Sequence, residues 1–357
     1  MNIVYDNIIF SLQKYGGISI YWKELIKRIT LKKNVTFFES INNNIFSKEI
    51  DIKFNNESNL SLQILRYLPF IKKIPKNSIF HSSYYRICTQ KYVINITTVH
   101  DFTYEYYRSG IAKYIHIWQK NYAINNSDGI ICVSENTKKD LLKFLPNIEE
   151  SKIRVIYNGV GKEFIQLNNP HQYLKNEFKV LKEKTYILYI GDRSSYKNFD
   201  IAVKTMENLN NYSLVVIGGQ KFTANEKENM KNIINRVYHF RGVGGAELNT
   251  IYNNAFCLLY PSSYEGFGIP IIEAMKAGCP VISTNISSIP EVAGSGALLV
   301  DDITANNFIK EIKKIENIKF RDELIDQGLL EVEKFSWDKC FEETYQFYEE
   351  IYERKLS

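Results

Sequence analysis

The sequence predicts an α/β fold built of two Rossmann-like halves that face each other across a cleft. Short β-branched or apolar runs alternate with amphipathic helical stretches from one end of the chain to the other, the pattern of parallel sheets covered by helices. That rhythm breaks once, in a polar stretch containing Asn168, Asn169 and Pro170, and then starts again. A chain of 357 residues also suits two domains better than one, at ~100–200 residues per domain.

In the first half the strand-like runs are Ile3–Tyr5, Val35–Phe38, Ser78–His81, Asn95–Val99, Gly129–Val133 and Arg154–Ile156. Between them, Ile18, Trp22, Leu25, Ile26 and Ile29 recur at helical spacing, and Ser134 precedes a second helical stretch as an N-cap. In the second half the runs are Tyr186–Ile190, Leu214–Ile217, Val237–Phe240, Phe256–Leu259, Val281–Ile282 and Leu298–Val300. From Phe308 the chain reads as helical, and the last helix, capped by Ser336, carries Trp337, Phe341, Tyr345, Tyr348 and Tyr352 on one stripe. The expected domains are therefore 1–165, a linker 166–184, a second domain 185–335, and a C-terminal helix 336–357. In such doubly wound sheets ligands bind at the carboxyl ends of the strands, which places them in the cleft.

Composition narrows the functional classes. Hydrophobic residues at 45% and charged residues at 24% are the balance of a chain with a large core, not of a disordered one. Cys88, Cys132, Cys257, Cys279 and Cys340 are scattered without a C-x-x-C pair, so neither a disulfide framework nor a zinc site is implied, and a reducing compartment is expected. No basic-then-apolar leader opens the chain and no run approaches the ~18 apolar residues that span a bilayer. Residues 1–165 hold 23 Lys and Arg against 14 Asp and Glu, so the net charge of +5 is concentrated in the first half. Without basic-aromatic repeats or a finger pattern, that basic half points away from nucleic acid and toward anionic lipid or a phosphorylated substrate.

The most informative segment is YEGFGIPIIEAMKAGCPVI at 264–282. Gly266 and Gly268 let the backbone turn tightly after a strand, and Pro270 suits the first turn of a helix beginning near Ile269. The free amides of Gly266, Phe267, Gly268 and Ile269, with the positive end of that helix, can hold a phosphate without a metal. Glu265 at the strand end can meet a sugar hydroxyl. Glu273, one turn into the helix, can chelate vicinal ribose hydroxyls. A glycine turn with two solvated glutamates is the plainer explanation of any one of these features, but it leaves the whole segment unexplained.

This segment resembles the E-x7-E signature of the retaining, GT-B-fold glycosyltransferases of family four, which include many bacterial mannosyl- and deoxyhexosyltransferases of surface polysaccharides. YDNIIFSLQKYGGIS (5–19), TTVHDFTYE (97–105), ICVSENTKKDLLKF (131–144), VIYNGV (155–160), YIGDRSSYKNF (189–199) and SSIPEVAG (287–294) are similar to family blocks and stand in the family's order. The closing FSWDKCFEETYQFYEE resembles the family's terminal helix, which crosses back to the first domain. The resemblance implies a GT-B fold.

Arg193 and Lys197 follow a strand in GDRSSYKNF. Two fixed cations there can neutralise a diphosphate leaving group as charge builds on it, and the resemblance implies that role. Gly16 and Gly17, with Ser19 behind them, let backbone amides approach donor phosphates or the acceptor. His100 ends a strand; the resemblance implies that it contacts the transferred sugar, with Asp101 orienting its ring. Gly218–Gly219 and Arg241–Val243, including Val243 itself, match family positions near the nucleobase. No D-x-D pair is set to hold a divalent cation, so no metal and no cofactor is expected. The stretch LRYLPFIKKIPK at 65–76 reads equally as a core helix with a solvated basic end and as a membrane-facing patch.

The function expected from these residues is retaining transfer of a hexose or deoxyhexose, mannose-type favoured, from a GDP-sugar or UDP-sugar to a hydroxyl of a glycan, a lipid-linked O-antigen or capsule precursor. The partners are then the donor, the glycan or lipid-linked acceptor and an anionic membrane touched peripherally, with no nucleic acid. The expected location is the cytoplasm, including the inner face of the plasma membrane. A nucleotide-sugar epimerase on the same fold and a non-catalytic sugar-nucleotide-binding scaffold are the alternatives. Arg193, Lys197, Glu265 and Glu273 argue against the scaffold, and no acid-base set for the epimerase is legible.

Overall fold

The computed structural model describes every residue except Tyr15, Ile41, Asn43, Asp51 and Asn59. Tyr15 belongs to the 5–19 block, so that position lies outside the described residues. The chain divides into two compact units, Met1–Gly159 with Trp337–Ser357, and Val160–Ser336.

The first unit is a fully parallel six-stranded sheet with strands β1 (Asn2–Asp6), β2 (Val35–Phe38), β3 (Ser78–Ser82), β4 (Ile94–Val99), β5 (Gly129–Cys132) and β6 (Ile153–Val155) in the order β2-β1-β3-β4-β5-β6. β3 and β4 are buried along their whole length, as a sheet covered on both faces requires. Helices α1 (Gly17–Ile29), α2 (Ile111–Asn125) and α3 (Glu135–Phe144) connect the strands. The helical spacing at 18–29 becomes α1, with Trp22, Leu25, Ile26 and Ile29 in the core. Ser134 caps α3 by accepting the Thr137 N–H at 3.0 Å.

The C-terminal helix, Trp337–Leu356, completes this unit. It buries Trp337, Phe341, Phe347, Tyr348 and Ile351 in the same core as Trp22 and Ile26. Tyr348 reaches the centre of the sheet, where its hydroxyl lies 3.0 Å from that of Tyr5 on β1 and 2.5 Å from His81 Nδ1 on β3. Of the expected stripe, Tyr345 and Tyr352 are only partly buried at the edge of this cluster.

The second unit is again parallel and six-stranded, with a different strand order. β7 (Tyr186–Ile190), β8 (Ser213–Ile217), β9 (Val237–Phe240), β10 (Cys257–Tyr260), β11 (Val281–Thr284) and β12 (Ala297–Val300) form a parallel sheet ordered β12-β11-β10-β7-β8-β9. α4 (Phe199–Glu207), α5 (Ala224–Asn229), α6 (Gly245–Asn254) and α7 (Ile269–Lys276) follow β7, β8, β9 and β10 respectively.

Two expectations need correction. The stretch 166–184 is not a linker, because it packs onto the second unit. Leu174, Phe178 and Leu181 are buried, and the backbone just before it is clamped by α6, with Ile165 N–H donating to Asn249 Oδ1 at 3.0 Å and Leu167 N–H to Asn253 Oδ1 at 2.7 Å. The unit boundary therefore falls at Gly159 and Val160, ahead of the expected 165. Nor is 65–76 a core helix. Only Leu62–Leu65 is helical, and Pro69 and Pro75 prevent continuation by lacking a donor and pushing the preceding residue out of the helical region. Leu65, Phe70 and Ile74 turn inward, and Ile64, Tyr67 and Ile71 remain exposed.

Candidate donor site at the carboxyl ends of the second sheet

The chain runs β7, β8, β9 in one direction across the sheet and then β10, β11, β12 in the other. The reversal leaves a topological switch point between β7 and β10, the place where parallel α/β sheets take ligands. The loops after β10, β7, β8 and β9 stand side by side there, and they carry Glu265–Gly268, Arg193 and Lys197, Gly218, and Arg241–Val243 in turn.

At the switch itself Lys197 Nζ lies 2.5 Å from Glu265 Oε1 and donates to the Tyr260 hydroxyl at 3.2 Å. The two loops that bring this pair together are tied by backbone and amide bonds. Ser263 N–H donates to Tyr196 O at 2.7 Å, and Asn198 Nδ2 donates to Pro261 O at 2.8 Å and to Ser263 Oγ at 2.6 Å. From the next loop, Ser287 Oγ accepts the Glu265 N–H at 2.9 Å, and Ser288 Oγ donates to the carbonyls of Glu265 and Phe267 at 2.9 and 3.0 Å. The SSIPEVAG block thus braces the glycine loop. Gly268 adopts φ +103°, where a side chain is strained, and turns the chain into α7, with Pro270 in the first turn. Phe267 supplies backbone here; its ring is buried edge-on against Phe335 at 5.6 Å.

Arg193 is held more tightly than a surface cation. Its Nε lies 2.5 Å from Glu226 Oε1, and Nη2 donates to Gln220 O at 2.7 Å. The guanidinium lies 4.7 Å from the Phe222 ring centroid. Nη1 is buried with no hydrogen-bond partner among the described residues. It faces Gly219, where an added Cβ would lie 2.4 Å away. A buried cationic donor without an acceptor is costly, so Nη1 is the one guanidinium nitrogen of Arg193 whose hydrogen-bonding capacity the described residues leave unused. Glu226 also accepts from Thr223 N–H and Oγ at 2.7 and 2.9 Å, so one carboxylate caps α5 and fixes the arginine. Those contacts hold its carboxyl below the ordinary glutamate range despite some burial.

Both expected cations therefore arrive already paired with carboxylates, partners that the reading of Arg193 and Lys197 as two fixed cations does not name. Thr-x-x-Glu at 223–226 is a legible capping-box pattern, yet nothing in the sequence couples it to Arg193 thirty residues earlier.

Glu273 on α7 is buried and accepts a hydrogen bond from the Tyr252 hydroxyl of α6 at 3.0 Å. Burial outweighs that bond and pushes its carboxyl up to about 7. Gly218 has φ +94° and sits so close to the neighbouring loop that a Cβ would lie 3.3 Å from Gly191 O. His239 on β9 fixes it, with Nε2 2.7 Å from Gly218 O. Beyond β9, Arg241 is exposed and Val243 buried.

The remaining expected site residues, Gly16, Gly17 and His100, lie in the first unit. Gly17 opens α1 with Gly16 extended before it, and Ser19 is fully buried, donating to Gln13 Oε1 at 3.1 Å. His100 follows β4 with its ring edge-on to Tyr21 at 5.0 Å. Burial lowers its ring to about 4, with Asp101 pulling the other way, so it is neutral at pH 7. Asp101 acts through its charge: its Oδ1 accepts the Thr103 N–H at 3.0 Å. Among the described residues no three His, Cys, Asp or Glu side chains gather as a metal site.

Two parallel six-stranded α/β units, the second with a glycine loop and ion-paired cations at its switch point, give the architecture of the GT-B class. Residues 15–164 match the Glycosyltransferase Family 4 model and residues 172–329 the model of Glycosyl transferases group 1. The chain belongs to this glycosyltransferase family. It is 23% identical over 370 residues to the O-antigen chain mannosyltransferase B of Escherichia coli, covering 93% of this chain and 95% of that protein. To the O-antigen chain mannosyltransferase RfbU of Salmonella typhimurium it is 30% identical over 243 residues, 65% of each. In fold it is similar to sucrose-phosphate synthase from Thermosynechococcus elongatus, with TM-score 0.77, 18% identity, and coverage of 99% of this chain and 100% of that one.

Proposed function

We propose that this glycosyltransferase moves a hexose or deoxyhexose, mannose favoured, from a nucleotide diphosphate donor to a hydroxyl of a growing lipid-linked surface glycan, with retention of anomeric configuration. The observation that carries the reading is the β7–β10 switch point, where the Lys197–Glu265 pair meets the loop into α7, with Arg193 fixed against the neighbouring loop after β8. The two mannosyltransferase relatives support the sugar class.

In this reading Arg193 Nη1, Lys197 and the amides of Gly266–Ile269 take the diphosphate, and Glu273 takes the ribose. Gly218, Arg241 and Val243 lie toward the base. Glu265 turns to a sugar hydroxyl, and its release from Lys197 frees a full positive charge for the departing phosphate. Neutral His100 suits a hydrogen bond to a sugar hydroxyl and not the part of a fixed cation. Retention follows a front-face route: the departing phosphate oxygen accepts the acceptor hydroxyl's proton while the C–O bond to the leaving group breaks and the new one forms on the same face. No residue above is placed as a nucleophile on the opposite face. Helix dipole and cations supply the charge stabilisation that a divalent ion would otherwise give.

The test is to incubate the protein with α-linked GDP- and UDP-sugars and a glycan acceptor, with and without EDTA, and to analyse products by proton NMR. An α-glycoside formed in EDTA is expected. An inverted anomeric coupling overturns retention, rescue of a chelated enzyme by Mg²⁺ or Mn²⁺ overturns metal independence, and an epimerised donor without glycoside replaces transfer by epimerisation.

A further inference from the structure

We propose that the C-terminal helix positions His100 through Tyr21 of α1, which rests on the reading above that His100 meets the transferred sugar. The turn after β4 fixes the backbone at this residue but not the ring. Lys120 Nζ of α2 donates to Asp101 O at 3.1 Å and pairs with Glu105 at 2.7 Å, and Asp101 Oδ1 accepts the Thr103 N–H. Among the described residues no side chain hydrogen-bonds the His100 ring, so packing decides how it is turned. The ring packed edge-on against it is that of Tyr21, at 5.0 Å.

Tyr21 is in turn held from two ends by the C-terminal helix. Trp337, the first residue of that helix, packs edge-on to the Tyr21 ring at 6.2 Å. Tyr348, about three turns further along, reaches the Tyr21 hydroxyl through a buried chain. Its hydroxyl lies 2.5 Å from His81 Nδ1 of β3, His81 Nε2 lies 2.9 Å from Thr98 Oγ1 of β4, and Thr98 Oγ1 lies 3.3 Å from the Tyr21 hydroxyl. Burial lowers the His81 ring to about 3, so it is neutral at pH 7 and donates to one of these hydroxyls while accepting from the other. The His81 ring cannot tilt, because Tyr5, Trp22 and Tyr348 box it edge-on at 5.8, 4.9 and 5.7 Å.

Packing alone does not require this chain. Phenylalanine at 21 and 348, leucine at 81 and valine at 98 would fill similar space without a buried hydroxyl or imidazole to satisfy. A buried polar chain whose members are partnered fixes one arrangement of the core, and here that arrangement ends on the ring assigned to the sugar. The C-terminal helix is also where the chain re-enters the first unit, after Ser336. Trp337 and Tyr348 thus tie the seating of this helix to the orientation of His100. His100 keeps some exposure, whereas Tyr21, His81 and Tyr348 are 1%, 0% and 0% exposed, so these three act through His100 as positioning residues.

Tyr348→Phe and Thr98→Val each cut the chain and keep the shape of the core. Either should lower turnover about tenfold, the scale of a contact misplaced by a fraction of an ångström. Affinity for the nucleoside diphosphate, whose proposed contacts lie in the second unit, should stay within about twofold. A double-mutant cycle separates positioning from general support of the fold: with His100→Ala already present, Tyr348→Phe should change turnover by less than about twofold. Equal loss in both backgrounds overturns the proposal. A second measurement needs neither donor nor acceptor, so its outcome is independent of the proposed transfer reaction. The chain has five histidines, and in protein labelled with ¹³C-histidine the His100→Ala variant identifies the His100 Cε1–Hε1 signal. That signal should shift in Tyr348→Phe and in Thr98→Val, with those of His171 and His239 in the second unit unmoved. A His100 signal that stays in place in both variants overturns the proposal whatever the transferase assay shows.

Discussion

Both units are parallel six-stranded sheets with a switch point, and they treat it in opposite ways although their strand orders differ, the chain reversing after two strands in the first and after three in the second. In the first unit the reversal falls between β1 and β3, and buried ions fill it. Arg86 lies 2.9 Å from Asp6 and 2.8 Å from Glu57, and all three side chains are almost inaccessible. Ser82 Oγ donates to Asp6 Oδ2, Ser83 Oγ donates to Asp6 O, and Arg86 Nε donates to Leu68 O, so the cluster satisfies itself. In the second unit the corresponding place holds Lys197 and Glu265 in a loop of glycines, with a neighbouring arginine that keeps one donor unsatisfied. The switch point is thus a plugged crevice in one half, whereas in the other it lies beside an arginine with an unsatisfied donor, the contrast on which the proposed donor site rests.

Two substitutions test that contrast where effects are largest. Arg86→Ala leaves Asp6 and Glu57 buried without their cation, and it should cost roughly 3–5 kcal/mol of unfolding free energy, read by denaturant titration. Loss of activity without loss of stability would mean that the first crevice is a site and not a plug. Lys197→Ala should cost less stability than Arg86→Ala, because the Lys197–Glu265 pair keeps some solvent exposure, while lowering turnover by roughly 10²–10³-fold, the scale of one preorganised charge contact. A variant with the wild-type rate would remove Lys197 from the diphosphate.

The strands along the chain and the ends of most of them were legible because each buried parallel strand is a continuous apolar run that helices must flank, whereas their order within each sheet was not. The glycine loop was legible for a related reason: Gly268 and Pro270 are dictated by backbone conformation, which sequence states directly. The partners of the charged residues were not. Glu226 meets Arg193, and Tyr252 meets Glu273, only because adjacent strands bring successive loops together, and such contacts leave no local pattern. The same applies to Asn249 and Asn253, whose clamps turn an apparent linker into part of the second unit.

Glu226→Ala removes the clamp on Arg193 without touching a proposed ligand contact. It should weaken nucleoside diphosphate binding by about tenfold, the loss expected for one charge-assisted hydrogen bond, and leave the parent nucleoside nearly unaffected. Glu226→Asp, shorter by one methylene, should recover only part. Calorimetry with both ligands checks this, and equal losses for nucleoside and diphosphate would make Glu226 a general fold residue. Glu265→Gln should act in the reverse direction on the product, because an unpaired Lys197 carries its full charge to the phosphate. Diphosphate affinity should rise by a few-fold while transfer falls. A fall in both would place Glu265 on the nucleotide instead of the sugar.

The last expected effect concerns protons. Glu273 titrates near 7 in the folded protein instead of its ordinary 4.5, because burial disfavours its charged form more than the Tyr252 bond favours it. Folded protein then holds a proton that the unfolded chain has lost, so this group makes stability fall as pH rises from about 4.5 to about 7, and Glu273→Gln should flatten that slope. Ligand binding should run the other way. The ionised carboxylate accepts two ribose hydroxyls more strongly than the acid does, and a group titrating near 7 goes from about a tenth to about nine tenths ionised between pH 6 and 8. Affinity for an intact nucleotide sugar, whose diphosphate does not titrate in this window, should therefore rise by up to about ninefold over that range. Fluorescence titration across the pH series, repeated with Glu273→Gln, checks the sign. A flat wild-type profile, or one that falls with pH, would mean that the ribose binds the protonated acid or does not meet Glu273.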